Sequence, residues 1–74
     1  MRDAEFEKFF KSFDVRLRKL RKQRGWTQED MLDYGFATRH YQRIEQGLQI
    51  SMTTALRLAK AFGIKLSILI KGID

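Results

Sequence analysis

The spacing of the glycines constrains the fold of this chain more than any other feature of its sequence. The chain contains no proline and five glycines: Gly25, Gly35, Gly47, Gly63 and Gly72. Glycine commonly follows the last turn of a helix, because it adopts a left-handed backbone conformation without steric cost. Four of these glycines divide the 74 residues into segments of helical length.

The first segment carries one continuous apolar stripe. Its members recur at steps of three and four residues and are Phe6, Phe9, Phe10, Phe13, Leu17 and Leu20. Acidic residues stand near the start of the segment and basic residues near its end, which suits the helix dipole. A long helix is therefore predicted from about residue 4 to residue 24. Phe6 and Phe9, at the N-terminal end of the stripe, are expected to pack either on the domain or on a partner subunit.

Two further segments open with N-cap residues. Thr27 is a favourable N-cap, and Asp30 three residues later gives a close relative of the capping box, so a short second helix is predicted before Gly35. Ser51 is the predicted N-cap of a fourth helix that ends before Gly63. The apolar positions of this fourth helix follow the 3.6-residue period and are Met52, Ala55, Leu56, Ala59 and Phe62.

The C-terminal segment, residues 65–71, is apolar and contains β-branched residues. Propensity allows a strand here, but a lone strand would have no partner in a helical chain, so a short fifth helix is predicted. Its isoleucines, Ile68, Ile70 and Ile73, exceed what one short helix can bury. They belong either to the core or to a patch between subunits, and we favour residues 65–74 as a dimerisation segment.

The segment that contains RHYQRIEQG, residues 39–47, sorts its polarity around a helix. At 100° per residue, Ala37, Tyr41 and Ile44 fall on one side. The other side has no acid and spans less than half of the circumference; its members are Thr38, Arg39, Gln42 and Arg43. An amphipathic third helix with a donor-rich outer face is therefore predicted over residues 37–46.

This outer face has two interpretations. Arginine can bond guanine with two hydrogen bonds in the major groove of DNA, and glutamine can pair with adenine. A helix that merely faces solvent more often shows glutamate and lysine four residues apart. Taken alone, the segment supports a DNA-reading helix and a basic surface helix equally.

Glu45 lies beside the apolar side of this helix, where a lone carboxylate would be costly. A buried carboxylate needs a cation with several donors, which arginine provides best. Arg21 is the candidate, because it lies near the apolar stripe of the first helix. The alternative is that Glu45 points to water near the end of its helix and has no partner.

Composition limits the classes of function. The net charge is +6 and the isoelectric point is about 10.1, which favours an anionic partner, either nucleic acid or an acidic membrane surface. Six cations and no acid lie in residues 16–24, and cations of this first helix are expected to hold phosphates. No secretory leader pattern and no apolar run of membrane-spanning length is present, so a cytoplasmic protein is expected.

The sequence predicts no enzyme, no cofactor and no metal. The chain has no cysteine, which excludes disulfides and thiolate metal sites, and its single histidine cannot build a histidine-based site. His40 has no accompanying nucleophile and carboxylate pattern. There is also no phosphate-binding glycine loop.

Three stretches carry a family likeness: LRKLRKQRGWTQEDM, then IEQG, then SMTTALRLAKAFGIKLSIL. With these stretches, residues 17–69 resemble the phage-repressor type of helix-turn-helix protein, also called the XRE or Cro family. The resemblance implies an all-α, compact five-helix lambda-repressor-like DNA-binding domain, here with an extended N-terminal helix. We expect a single domain over residues 1–74, in which residues 1–12 extend the first helix and residues 27–46 form the helix-turn-helix.

The resemblance also implies roles for individual residues. Gln28 matches a glutamine that binds backbone phosphate and steadies base contacts. Arg21 and Glu45 match an internal salt bridge of the family, in agreement with the pairing argued from burial. The residues that match DNA-facing positions of the recognition helix are Thr38, Arg39, His40, Gln42 and Arg43. In the following loop, where relatives often carry basic residues, this chain has Leu48 and Gln49, and Gln49 is a further DNA-binding candidate.

The chain departs from the family pattern in one place. Between Thr27 and Glu45 it is one residue shorter than the common spacing, and MLDYG replaces the usual end of the second helix. A shortened second helix or an altered turn would tilt the recognition helix and change which side chains reach the bases.

Together these features predict a sequence-specific double-stranded DNA-binding transcriptional regulator, a repressor or controller that acts as a homodimer on a roughly palindromic operator. An alternative comes from the class of interaction proteins. In it, the chain is an antitoxin or adaptor module whose main role is to bind a partner protein. Its docking surfaces would be the N-terminal EFEKFFKSF and the C-terminal isoleucines.

Overall fold

The computed structural model describes residues 4–73, and every regular element in that range is a helix. The elements are α1 (Ala4–Gln23), the 3₁₀ helix η1 (Glu29–Tyr34), α2 (Thr38–Ile44), α3 (Met52–Phe62) and α4 (Leu66–Leu69). The prediction of an all-α fold with five helices is thereby confirmed. Residues 1–3 of the expected N-terminal extension and Asp74 of the C-terminal segment lie outside the described residues.

One hydrophobic core joins all five helices. Its buried members are Phe13, Leu17, Met31, Phe36, Tyr41, Ile44, Leu58, Ala59, Phe62 and Leu69. Burying one large apolar side chain contributes about 1.5–3 kcal/mol to the free energy of unfolding. Removal of any of these side chains would therefore destabilise a domain of this size appreciably. Phe36 lies in the turn between η1 and α2 and is fully buried, which fixes that turn to the core.

Helix α1 is longer than the core that it covers. Phe13 and Leu17 are buried, and Phe9, Phe10 and Leu20 are partly buried against the core. Phe6, one turn earlier, is 57% exposed. The apolar stripe read from the sequence therefore continues past the point where other helices cover it.

The second helix is a 3₁₀ helix, which the sequence pattern did not predict. The Asp30 amide donates to Thr27 Oγ1 at 3.2 Å, and the Thr27 amide donates to Asp30 Oδ2 at 2.7 Å. These reciprocal bonds are those of a capping box. A 3₁₀ helix rises about 2.0 Å per residue, against 1.5 Å for an α-helix, so six residues cover about 12 Å, the length of eight α-helical residues. The 3₁₀ winding therefore makes η1 longer along its axis than an α-helix with the same number of residues would be.

The inward face of α3 differs from the predicted one. Ser51 caps the helix as predicted, with its hydroxyl accepting from the Thr54 amide at 3.2 Å. However, Met52 is 66% exposed and Leu56 is 53% exposed, so these two members of the apolar stripe do not face the core. The buried residues are Leu58, Ala59 and Phe62. The stripe omitted Leu58, and with Leu58 included the centre of the inward face lies about 50° away from the centre of the stripe.

The isoleucines of the C-terminal segment were predicted to lie either in the core or on an exposed patch, and the structure shows both environments. Ile70 and Ile73 are partly buried and pack against the core, whereas Ile68 is 51% exposed. Arg16 of α1 closes the carboxyl end of α4: its guanidinium donates to the Leu69 carbonyl at 3.0 Å and to the Lys71 carbonyl at 2.7 Å. Within residues 4–73 no helix combines the length and hydrophobicity needed to cross a membrane.

Candidate nucleic-acid interface

Helix α2 presents a polar face outward. Tyr41 and Ile44 are buried, whereas Arg39, Gln42 and Arg43 are exposed. At 100° per residue, these three exposed side chains lie within an arc of about 100° that contains no acid. Ala37, which the sequence pattern placed with the apolar side, is exposed, because it stands at the N-cap before the helix turns toward the core.

The remaining predicted side chains of α2 lie at the edges of this face. Thr38 and His40 are each half-buried. The His40 ring lies 6.3 Å from the buried ring of Phe36, centroid to centroid. Gln46, in the turn after α2, is exposed and falls within the same outward arc as Arg39 and Arg43. Gln46 was not among the predicted DNA-facing residues, although the 100° periodicity places it on this side of the helix.

The two arginines of this face have no internal acceptor. Within residues 4–73, neither Arg39 nor Arg43 makes a side-chain hydrogen bond or ion pair. Their donors therefore point outward unused. A flat guanidinium with free donors can bind a guanine edge or a phosphate with two parallel bonds.

An ion pair joins the C-cap of α2 to α1. Arg21 Nε donates to Glu45 Oε2 at 2.7 Å, and Arg21 Nη2 donates to Glu45 Oε1 at 3.0 Å. Both residues are buried, and Arg21 also donates to the carbonyl of Trp26 at 2.9 Å. The structure thus pairs the two residues that the sequence analysis put together, and the pair fixes the end of α2 to α1.

The environment of Glu45 favours its ionised form. Burial by itself would raise the Glu45 pKa, but the Arg21 guanidinium, with the nearby Tyr41 hydroxyl and the Gln28 amide, outweighs burial and holds the pKa below its ordinary value. The hydrogen bond to Glu45 likewise raises the pKa of Arg21. The pair is therefore fully charged near neutral pH.

Gln28 lies inside this cluster. Its side-chain amide donates to Glu45 Oε1 at 3.1 Å, and the residue is half-buried. The family resemblance predicted that Gln28 binds phosphate. One of its two N–H donors is already used, so a phosphate contact would have to come from the other. Gln28 supports Glu45 directly and, through it, the carboxyl end of α2.

The Tyr41 hydroxyl is buried beside this cluster and has no hydrogen-bond partner. Burial raises the pKa of Tyr41 far above its ordinary value, so the phenol is neutral at every physiological pH. Its ring contributes to the core, whereas its oxygen makes no hydrogen bond of good geometry and interacts with Glu45 and Arg21 only through their charges.

The arginines near the end of α1 bond within the protein. Arg16 caps α4, Arg18 pairs with Asp14 at 2.8 Å, and Arg24 donates to the Phe62 carbonyl at 2.6 Å. With Arg21, these account for every arginine of residues 16–24. The remaining cations there, Lys19 and Lys22, are exposed. The expected phosphate-holding role of this segment therefore narrows to its lysines and to Arg18, whose side chain is 46% exposed.

Asp14 is a buried acid that the sequence analysis did not single out. It is 5% exposed, and Oδ2 would lie 3.5 Å from a Cβ atom placed on Gly47. This places Asp14, with Arg18, next to the turn that follows α2. The spacing of four residues between an acid and an arginine on a helix could have indicated the pair.

Gln49 is exposed in the loop between α2 and α3. Gln49 lines a groove of about 550 Å³ at the N-terminal end of α1, with Ile50 and the aromatic residues Phe6, Phe9 and Phe10. Among the described residues, no group of three or more histidine, aspartate and glutamate side chains could hold a metal ion.

A protein-family model described as helix-turn-helix matches residues 17–69, well over half of the chain. The chain belongs to the helix-turn-helix family. In this helix-turn-helix protein, η1 and α2 are consecutive helices joined by the turn at Gly35–Ala37, and both lie within the matched residues. The family is XRE-like and consists of DNA-binding regulators, so the general prediction of a DNA-binding regulator is confirmed. No curated protein and no solved structure matches the chain.

Proposed function

We propose that the protein is a sequence-specific double-stranded DNA-binding transcriptional regulator, a repressor or controller, with residues 1–74 acting as a single helix-turn-helix domain in the cytoplasm. One observation carries the proposal: the outer face of α2 holds Arg39, Gln42 and Arg43 exposed, without an acid beside them. A helix with such a face fits the major groove, which is wide enough to admit it.

In this mechanism α2 reads bases and other elements hold phosphates. Arg39 and Arg43 bond guanine edges, Gln42 bonds adenine, and Thr38, His40 and Gln49 contact DNA at the margins. Lys19, Lys22 and Arg18 neutralise phosphates, and Gln28 contributes its second N–H donor. Because the ion pair of Arg21 and Glu45 immobilises the end of α2, little conformational entropy is lost when DNA binds.

The protein acts as a homodimer on a roughly palindromic operator. Two copies of α2 would read half-sites about one helical turn, ~34 Å, apart. The proposed dimerisation segment is 65–74, because Ile68 there is half exposed while its neighbours Ile70 and Ile73 anchor the segment to the core.

Selection from random double-stranded DNA with the purified protein tests the proposal. A two-fold symmetric site with a fixed half-site spacing is expected. On that site, affinity should fall steeply with salt: if ~8 phosphates are neutralised by the dimer, the slope of log K against log salt is about −7. Failure to enrich any site, or affinity that does not respond to salt, would overturn the proposal.

The groove beside α1 favours a second candidate, an antitoxin or adaptor that binds a partner protein. Phe6 is 57% exposed at the edge of this mainly aromatic groove, where a partner protein could bury it together with the partly buried Phe9 and Phe10. Purification from the native cell decides between the two: a stoichiometric partner that Phe6→Glu releases supports the adaptor, and a homodimer without a partner contradicts it.

A further inference from the structure

The start of the recognition helix lacks a cap of its own. The N-cap of α2 is Ala37, which makes no side-chain hydrogen bond to the first turn. In contrast, Ser51 caps α3 through its hydroxyl. The direction in which α2 leaves the turn is therefore set by contacts of the residues just before it, Gly35 and Phe36.

One side chain of α3 contacts both of these residues. Arg57 Nη2 donates to the Gly35 carbonyl at 2.7 Å. The Arg57 guanidinium also lies over the ring of Phe36, 4.6 Å from its centroid, which is a cation–π geometry. Arg57 thus holds the peptide before the turn and the ring within the turn in one arrangement.

The turn is shaped to admit this contact. Gly35 has a φ of 87°, a conformation that favours glycine, and a Cβ placed there would lie 3.4 Å from Arg57 Nη2. The Phe36 ring in turn lies 6.3 Å from the His40 ring on the first turn of α2 and 6.2 Å from the Tyr41 ring. A chain of contacts therefore runs from Arg57 through Phe36 to the residues of α2.

We propose that Arg57 is a positioning residue for DNA recognition, which sets the angle of the N-terminal end of α2 and thereby the bases read by Thr38 and Arg39. It does not itself contact a base. The inference rests on the proposed DNA-binding function and extends it. In a helix-turn-helix the N-terminal residues of the recognition helix contact base edges, so a change of angle at this end alters preference at those bases most.

Arg24 is a matched control within the same chain. It also donates from Nη2 to a backbone carbonyl, that of Phe62, at 2.6 Å, and it also lies over aromatic rings, 5.3 Å from Phe62 and 5.7 Å from Trp26. Both arginines are exposed. Arg24, however, closes the end of α3 and does not touch the turn before α2. Arg57→Met and Arg24→Met remove the same charge and the same donors and keep a side chain of similar length.

The test is a random-DNA selection with four proteins: the natural chain, Arg57→Met, Arg24→Met and Arg39→Ala, each checked for folding by thermal unfolding. Arg39→Ala identifies the bases read at the start of α2. We expect Arg57→Met to change base preference by about fivefold at those same positions. We expect Arg24→Met to keep the natural base preference and to lower affinity equally for all sites.

An unchanged base preference in Arg57→Met, or an equal loss on all sites as in Arg24→Met, overturns the positioning role and leaves the proposed function intact. Failure of the natural chain to select any site overturns the proposed function itself. If Arg57→Met does not fold, the comparison is repeated with Arg57→Lys and Arg24→Lys. Lysine keeps the charge but loses the planar pair of donors.

Discussion

The arginines near the end of α1 and those of α2 differ in whether they bond acceptors within the protein. Arg16, Arg18, Arg21 and Arg24 each bond an acceptor within the protein. Within the described residues, Arg39 and Arg43 bond none. The acceptors within the protein are of two kinds. Arg16 and Arg24 bond carbonyl groups at the ends of α4 and α3, which lack partners in their own helices. Arg18 and Arg21 bond carboxylate groups. A run of basic residues therefore does not by itself locate a DNA-binding surface.

The ion pair between Arg21 and Glu45 gives the largest expected effect. Glu45→Ala leaves the Arg21 guanidinium buried without its carboxylate, which should lower the free energy of unfolding by about 3–5 kcal/mol. Denaturant-induced unfolding measures this change. Glu29→Ala is the control, because Glu29 is exposed on η1 and should change stability by less than about 0.5 kcal/mol. If Glu45→Ala and the natural chain unfold at the same denaturant concentration, the ion pair does not stabilise the fold.

The exposed arginines should show the reverse pattern. Arg39→Ala and Arg43→Ala should each weaken binding to the selected site by about 1–3 kcal/mol, because each loses contacts to one base, with stability nearly unchanged. Titration of labelled DNA, alongside thermal unfolding, separates the two quantities. Lys60→Ala, which removes one exposed charge on α3, should weaken binding less. If these substitutions lower stability and leave DNA affinity unchanged, the two arginines have a structural role like that of the arginines of α1.

Protonation of Glu45 in acid should lower the free energy of unfolding by less than Glu45→Ala does, because the protonated carboxyl group still fills the same space. The Glu45 pKa is lowered in the folded protein, so the unfolded chain takes up this proton first as pH falls. The contribution of Glu45 is thus complete above its unfolded pKa, about 4.3, and is lost as pH falls through the lower folded pKa. The stability difference between the natural chain and Glu45→Gln, followed from pH 7 downward, should shrink only in that acidic range. A difference that shrinks already near pH 6 would contradict the assignment to Glu45.

The smallest effect is expected at Tyr41. Its hydroxyl is buried without a partner, so Tyr41→Phe removes no hydrogen bond and should change the free energy of unfolding by at most about 0.5 kcal/mol, with a gain rather than a loss. Thermal unfolding of the two proteins measures it. A loss of 1 kcal/mol or more would show that the hydroxyl takes part in the ion-pair cluster.

Local signals predicted much of this fold. Glycines marked helix ends, Thr27 and Ser51 marked helix starts, and apolar steps of three and four marked the buried side of α1. These signals involve residues a few positions apart, so they can be read without knowledge of the tertiary structure. The candidate face of α2 was predicted in the same way, from polarity around one helix.

Predictions that depended on neighbouring elements were less accurate. Met52 and Leu56 belong to the apolar stripe read from the sequence, yet the packing of α3 on the core buries Leu58 and leaves both of them exposed. Gln28 was expected at phosphate, and the structure places its amide on Glu45. The winding of η1 also escaped the pattern, because a capping box precedes either kind of helix.

The sequence alone determined which segments become helices, where they begin and end, and that one of them would carry an outward face rich in arginine and glutamine. Only the tertiary structure decided which cations remain available to an anionic partner. Helix formation depends on bonds between near neighbours along the chain, and those are encoded locally. The use of a guanidinium depends on which carbonyl or carboxylate lies within about 3 Å, and that distance is set by packing between residues far apart in sequence.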